Sequence, residues 1–490
     1  EAGGMDPAMA KIDELLLRLD RSAGDAIASA VCRHHTRRLE RAGSPALDAP
    51  AGGWADDAPP PRSGNDVEVL IDGETAFPRI VADIRAARSF VHLTGWFLSP
   101  DFVLEEGETP VVVRDLLAEA AARVDVRVLL WAGAPIPVFT PARRLARAVR
   151  DELRRAGAIH CALDGHERPL HCHHEKSIVI DGEIAYVGGI DLTSLAGDRR
   201  DSQRHPARAA LGWHDVTTRT RGPLVADVAE HFNMRWNAVT GQRLPDPQPP
   251  APAGDVSAQL TRTLPERIYP RAPERSFGIL ESYLRALRSA ERYVYLETQY
   301  LWSPEVVAVL ADKLRRPPHD RFRLLILLPS RPKGGADDTR GALGELIEAD
   351  DGAGRALACC LHARAGSVSD AIYVHAKVGI VDDRWLTVGS ANLNDHSLFN
   401  DTELNVVTHD AALARATRLA LWAEHLESTP AEIAGDPADV IDGRWRPIAD
   451  EQLERRRHGL PLTHRLMRLD HVSRRAARLL GPLQGLVVDG

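Results

Sequence analysis

Short apolar runs alternate with amphipathic helical stretches along most of the chain, and the whole succession occurs twice. The first round opens at Val67-Glu68-Val69-Leu70-Ile71, a strand pattern that turns at Asp72-Gly73. A helix is expected over 76–87, then the apolar run from Phe90 to Leu98, a helix over 111–123, a strand over 126–131 and a helix over 141–156. The second round shows a helix over 276–289, the run from Tyr293 to Trp302, a helix over 305–315, a strand over 321–328 and a helix over 341–348. Val91-His92-Leu93 followed by Ser99-Pro100 recurs as Val294-Tyr295-Leu296 followed by Ser303-Pro304. Strands alternating with helices predict an α/β layered fold. The recurrence predicts duplication of a whole domain rather than a short solenoid repeat.

The segments outside the two rounds read differently. Residues 1–43 show an apolar stripe (Ile12, Leu15, Leu16, Leu17, Leu19) and a basic end, and predict a helical hairpin packed on the main body. A membrane-surface helix is the competing reading. Glu1 to Gly4 read as a cloning remnant ahead of Met5, which leaves a removed leader open. Residues 44–66 are rich in Pro, Gly, Ala and Asp and predict a linker. The expected organisation is then a first lobe over 67–244, a Pro-rich linker over 245–265, a second lobe over 266–430 and an Arg-rich closing segment over 431–490, including Arg474 and Arg475.

Each lobe carries a copy of one motif. His174-Glu175-Lys176-Ser177-Ile178-Val179-Ile180-Asp181 and His375-Ala376-Lys377-Val378-Gly379-Ile380-Val381-Asp382 both fit His-x-Lys-x-x-x-x-Asp. Seven positions on from each Asp stands a glycine turn, Gly188-Gly189-Ile190-Asp191 or Gly389-Ser390-Ala391-Asn392. The apolar residues after each Lys predict a strand, the Asp a hairpin turn, and Ala185-Tyr186-Val187 or Trp385-Leu386-Thr387-Val388 the return strand. Residues two apart on a strand share a face, so each His points with its Lys. An imidazole serves as nucleophile, base or acid, and an ammonium beside it attracts an anion. Two such sets in one cleft suit a phosphodiester: one His attacks phosphorus, the other protonates the leaving oxygen, and the lysines hold the equatorial oxygens.

Composition sharpens this. Of 61 basic residues only five are Lys, and two of those sit inside the motif, where a compact ammonium rather than a planar guanidinium is required. The net charge of −8 disfavours a broad nucleic-acid surface. No apolar run reaches the ~18 residues of a membrane span. Cys32, Cys161, Cys172, Cys359 and Cys360 are too few and too odd a set for a disulfide framework, which fits a reducing, cytoplasmic compartment. His171-Cys172-His173-His174 invites a zinc reading, but strand alternation would send its members to opposite faces. No metal or other cofactor is expected.

The paired motif resembles the signature of the phospholipase D superfamily, and the resemblance runs from about Val67 to His425. Gly188-Gly189-Ile190-Asp191-Leu192, Trp213-His214-Asp215, Gly222-Pro223, Arg235-Trp236-Asn237, Glu297-Thr298-Gln299-Tyr300 and Gly389-Ser390-Ala391-Asn392 make it most similar to the eukaryotic-style, phosphatidylcholine-type members. The resemblance implies two similar α/β lobes related by a pseudo-two-fold axis, with the active site between them. It implies His174 as nucleophile and His375 as general acid, Lys176 and Lys377 on the phosphoryl oxygens, and Asp215 and Glu403 as orienting partners of His174 and His375 respectively. Asp181 and Asp382 complete the motifs and are read as turn caps paired with basic groups. Asn392, Ser390 and Gln299 are expected near the substrate. Trp96, Tyr300 and Trp302, at equivalent strand ends, are expected either at an acyl-chain entrance or in the core. The implied reaction is hydrolysis of a glycerophospholipid, with transfer to alcohols, through a covalent phosphohistidine. A phosphatidyltransferase such as a cardiolipin synthase, a nuclease or small-diester phosphodiesterase, and a non-catalytic binding protein are the other readings.

Overall fold

The computed structural model describes residues 7–136, 139–195, 205, 212–269, 275–332, 336–365 and 368–470. Two stretches of chain build the same set of strands into a mixed sheet. In the first, Phe90–Gly95 lies between a parallel neighbour, Asp125–Trp131, and an antiparallel one, Ser177–Ile180. Asp125–Trp131 leads outward to parallel Ile159–Asp164. Ser177–Ile180 leads the other way, through its hairpin partner Ile184–Gly188, to Val216–Arg221 and then Arg62–Ile71. The second stretch repeats every step. Tyr293–Glu297 lies between Arg323–Leu327 and Val378–Val381, Ala356–Ala365 is next outward, and Trp385–Gly389, Glu403–Thr408 and Val256–Leu264 complete the series.

This pattern follows from where apolar residues fall. Leu324-Leu325-Ile326-Leu327 is apolar at every position because helices or other chain cover both faces of a parallel strand. The helices Asp72–Ala86, Val113–Ala121 and Arg143–Ala156 bury Ile80, Leu116, Leu117 and Leu153 against the first set. Gly278–Ser289, Pro304–Arg315 and Ala336–Asp350 do the same for the second with Leu284, Leu310 and Leu343. A third cluster (Val67, Val179, Val187, Leu260, Leu404 and Val406) is shared by strands of both sets and joins the lobes.

Three differences from the expected organisation have physical causes. Val256–Leu264 falls inside the segment read as a Pro-rich linker, yet it is the counterpart of Arg62–Ile71, and the two pair with each other. Prolines before position 253 obscure its alternating pattern. Arg62–Ile71 likewise begins inside the segment read as the 44–66 linker. The N-terminal segment is one helix, Pro7–Ala42, rather than a hairpin. It docks on the second lobe through His35 Nδ1 to Glu305 Oε1 at 2.7 Å and through Arg38, whose guanidinium reaches Glu266 and the Phe399 carbonyl. After residue 430 the chain adds the helix Arg446–Arg457 and a strand, Leu466–Arg468, that pairs with Ala356–Ala365. Arg474 and Arg475 lie outside the described residues, as do residues 1–6.

The motif aspartates correct another expectation. Asp181 and Asp382 both turn the hairpin in the left-handed region, at φ 56°, which aspartate tolerates. Their carboxylates bond no basic side chain. Asp181 accepts from the backbone N–H groups of Arg88, Ser89 and Phe90, and Asp382 from those of Glu291, Arg292 and Tyr293. Each pins the start of the neighbouring strand, a strand's length from its His, so neither belongs with the catalytic groups. Asp382→Ala strands three amides at a largely buried turn and is expected to lower unfolding free energy by roughly 2–4 kcal/mol, read from urea denaturation. An unchanged midpoint would remove this structural role.

Candidate active site

The two motif histidines meet between the lobes. The His174 and His375 rings lie 6.4 Å apart, centroid to centroid, at 68°. Both are buried at the bottom of the interface. Each is delivered by its own motif strand but held by the other lobe. The His174 N–H donates to the Thr402 carbonyl (3.0 Å), and the His375 N–H to the His214 carbonyl (2.8 Å). Trp213–His214 pairs in parallel with Val368–Val374.

The side chains are crossed in the same way. His174 Nδ1 bonds Glu403 Oε1 at 2.9 Å, and His375 Nδ1 bonds Asp215 Oδ2 at 2.7 Å. This reverses the expected assignment of Asp215 to His174 and Glu403 to His375. The reason is topological: the residues just before Asp215 lie against the second lobe, and those just before Glu403 lie against the first. A Cβ on Gly189 would collide with Asp215 Oδ1, so that turn glycine makes room for the carboxylate. Nδ1 engaged on a carboxylate fixes the orientation of each ring.

Glu403 is completely buried and also accepts from Ser390 Oγ at 2.5 Å and Ser397 Oγ at 2.6 Å. Burial raises its carboxyl well above the ordinary range, against the opposing pull of Lys176 and the two hydroxyls. The two hydroxyls fix the carboxyl, and the carboxyl fixes the His174 ring. Ser390 therefore acts on Glu403 rather than lying exposed to substrate.

The lysines differ. Lys176 Nζ bonds the His174 carbonyl at 2.5 Å and sits 3.3 Å from Asp191 Oδ2, whose other oxygen accepts from the Trp96 N–H. Lys377 Nζ bonds the His375 carbonyl and the Gln299 amide oxygen at 3.3 Å, and the same oxygen takes the Asn392 amide at 3.4 Å. Gln299 also donates to Tyr373 Oη at 2.9 Å. A carboxylate thus accompanies one ammonium and neutral amides the other.

Of the aromatic trio, Trp96 is core: it packs on Trp131 within the first-lobe cluster, and so does not line a substrate entrance. Tyr300 is also buried, 4.8 Å from the Trp302 ring. Trp302 borders open space, a cavity of about 700 Å³ between the N-terminal helix and Pro304–Arg315 that Ile27, Val31, Val307 and His396 also line. Glu297, read as near the cleft, faces away from it and accepts from His214 Nε2 and His425 Nε2, each at 3.0 Å. The members of the 171–174 cluster take separate partners. His171 meets His396 and Asp401, Cys172 joins the first-lobe core, and His173 reaches Asp164 and Thr402.

Sequence reasoning missed the support beneath His174. Glu175, the middle residue of the motif, is buried against Arg235 Nη1 and, at 2.7 Å, His231 Nε2. Arg235 also bonds Asp164 at 2.7 Å, and Tyr269 Oη donates to the same Asp164 oxygen at 2.6 Å. A glutamate beside a buried strand, where the second copy has Ala376, was the available signal.

The crossed pairs make a kinetic prediction. Asp215→Asn disorders His375, and multiple turnover on an alkyl phosphodiester is expected to fall roughly 10²–10⁴-fold. The first-turnover burst from an aryl ester, whose phenol leaves unprotonated, is expected to survive. Glu403→Gln should suppress the burst as well. The opposite pattern in a stopped-flow comparison would restore the uncrossed assignment.

A family model described as "Cardiolipin synthase, PLD-like domain" matches residues 283–423. Phospholipase D A of Dictyostelium discoideum is 27% identical over 482 aligned residues, which take in 78% of this chain but only 37% of that protein. Major cardiolipin synthase ClsA of Bacillus subtilis is 26% identical, over 72% of this chain and 67% of that protein. Among solved structures, phosphatidylserine synthase of Haemophilus influenzae aligns with a TM-score of 0.51 at 13% identity, over 79% of this chain and 89% of that one, a likeness of fold.

Proposed function

The chain belongs to the phospholipase D superfamily, and on that premise we propose that it cleaves glycerophospholipids of the phosphatidylcholine kind to phosphatidic acid and free head group, with transfer to primary alcohols. One observation carries this reading. Two imidazoles from duplicate motifs face each other 6.4 Å apart, each steadied at Nδ1 by a buried carboxylate. Ring centroids at that separation leave room for about one phosphoryl group between the two imidazoles.

His174 Nε2 attacks phosphorus in line, and the bond to the head-group oxygen breaks as His375 Nε2 gives that oxygen a proton. The product is a phosphatidyl-histidine and a free alcohol. His375, now neutral, takes the proton of water or a second alcohol as that oxygen attacks phosphorus and His174 departs. Two in-line displacements give retention at phosphorus. Lys176 and Lys377 neutralise the equatorial oxygens, and Asn392, oriented by Gln299, donates to one of them. Trp302 and the cavity beside it offer apolar surface for an acyl chain. Among the described residues no helix is long and apolar enough to cross a membrane, so the proposal places the protein at a lipid surface rather than through it.

A second reading is phosphatidyl transfer between two lipids, favoured by the description of the matching family model and by the similarity to ClsA. The test is phosphatidylcholine in mixed micelles with a primary alcohol, run beside phosphatidylglycerol alone. Free choline plus phosphatidyl-alcohol supports the first reading. Glycerol release with a doubly phosphatidylated product, and no choline, replaces it with the second. Cleavage of a bis-aryl phosphate alone would end both lipid assignments while keeping the histidine chemistry.

A further inference from the structure

Directly behind Asp215 lies a buried group of side chains that the reaction does not use. Asp72, His205, His214 and Glu424 come from four separate parts of the chain, and each offers one ligand atom within 4.8 Å of all the others. We infer that this group is a structural site for one divalent cation of the zinc class, stapling the two lobes behind the general acid. The inference is independent of which phosphodiester the enzyme takes.

The spacing carries the argument. Ligand atoms 2.0–2.1 Å from a tetrahedral centre stand about 3.3 Å from one another. Here His205 Nε2 is 2.9 Å from Glu424 Oε1 and 3.5 Å from Asp72 Oδ2, and His214 Nδ1 is 3.1 Å from both Asp72 Oδ1 and Glu424 Oε1.

The second observation is the hydrogen bonding. His214 Nδ1 makes a hydrogen bond with neither close oxygen, and Asp72 Oδ2 and Glu424 Oε2 also have no hydrogen-bond partner among the described residues. His214 is fully buried, and Asp72 and Glu424 nearly so. Unpartnered acceptors this deep are rare unless something binds them. One hydrogen bond joins members of the group, His205 Nε2 with Glu424 Oε1 at 2.9 Å.

The surroundings have the form of a metal site's outer layer. His214 Nε2 bonds Glu297 Oε2 at 3.0 Å, which fixes the ring and leaves Nδ1 as its ligand atom. Glu297 is itself held by His425 Nε2 at 3.0 Å and by the Tyr295 hydroxyl. Asp72 sits in the left-handed backbone region at φ 59°, which aspartate tolerates. Two buried imidazoles with two buried carboxylates suit zinc; calcium and magnesium favour all-oxygen sites.

The site reaches the chemistry through one link. The Asp72 N–H donates to the Asp215 carbonyl at 2.8 Å, and the Asp215 N–H returns to Asp72 Oδ1 at 3.0 Å. Asp72 and His214 belong to the first lobe, and Glu424 to the helix Ala411–His425 of the second. An ion held between them sets the position of Asp215, and through it that of His375.

The experiment measures metal in the full-length protein purified without chelators. Mass spectrometry should find about one zinc-class ion per chain. Stripping with a chelator should lower the melting temperature, and one equivalent of ZnCl₂ should restore it. CoCl₂ should give the visible bands of a tetrahedral site without thiolate charge transfer. Glu424→Gln should lose the ion, and His171→Gln, at the separate His171–His396–Asp401 group, should keep it. No bound metal together with no stoichiometric uptake of Zn²⁺ or Co²⁺ by the stripped protein would overturn the inference. So would one-to-one uptake undiminished in Glu424→Gln. Should that variant fail to fold, X-ray absorption of the zinc-loaded native protein decides. Only nitrogen and oxygen neighbours near 2.0 Å, with imidazole scattering, support the site; sulfur neighbours reject it.

Discussion

Replacing His174 with alanine is expected to remove turnover, with kcat falling by on the order of 10⁴-fold or more, the scale seen when a covalent nucleophile is deleted. The loss follows from geometry. His174 is the ring whose Nδ1 rests on the raised, buried carboxyl of Glu403, and the facing imidazole, His375, is engaged as proton donor in the proposed reaction. The fold should persist, because Glu403 retains the Ser390 and Ser397 hydroxyls. Circular dichroism and the urea midpoint check that point separately. A labelled aryl phosphodiester, quenched in alkali where the P–N bond of phosphohistidine survives, gives a second readout. The native enzyme and His375→Ala should carry label on His174, and His174→Ala should carry none. Label on residue 375 would exchange the two roles, and an undiminished rate in His174→Ala would end the covalent mechanism.

The second large effect is on stability. Arg235→Met is expected to lower unfolding free energy by about 3–5 kcal/mol, because it leaves Asp164 and Glu175 buried without their cation. That is a large share of the ~5–15 kcal/mol that holds a typical domain. Arg235 is fully buried and bonds both carboxylates, while Tyr269 and His231 supply the remaining donors. Burial alone would raise Glu175, but Arg235 and His231 hold it down to about 2 from an ordinary 4.5. Its folded pKa is therefore depressed. The stabilisation is present above pH 4.5 and is lost as pH falls through the range toward 2. Urea titrations at pH 7 and pH 3 check both statements. The native protein should lose stability at pH 3, and Arg235→Met should already have lost most of that increment at pH 7. Equal midpoints for native and variant protein at pH 7 would show that the network contributes nothing. Because Glu175 directly follows His174, turnover should also fall in the variant.

Much of the fold was legible because its signals are local. The hairpin Ser177–Ile180 to Ile184–Gly188 and its twin Val378–Val381 to Trp385–Gly389 stand where apolar runs flank an Asp turn. The expected strands and helices of both rounds match within a few residues. Val256–Leu264 was missed because prolines crowd the segment before it, although Val256, Ala258 and Leu260 alternate as a half-buried strand should. The N-terminal segment, expected as a helical hairpin, is the single helix Pro7–Ala42.

The candidate site divides along the same line. By itself the sequence picked out the candidates, paired His and Lys on paired strands, since a strand's two-residue period and a turn's residue preferences act over a few positions. Only the tertiary structure decided what those residues touch. Glu403 reaches His174 across 229 positions and Asp215 reaches His375 across 160, both against the assignment that the resemblance implied. Trp96 and Trp302 stand at equivalent strand ends, yet one is core and the other borders a cavity. Asp72, His214 and Glu424 show no shared spacing at all. Such contacts depend on which faces of two lobes meet, and that is set by the summed burial of many side chains rather than by any short pattern.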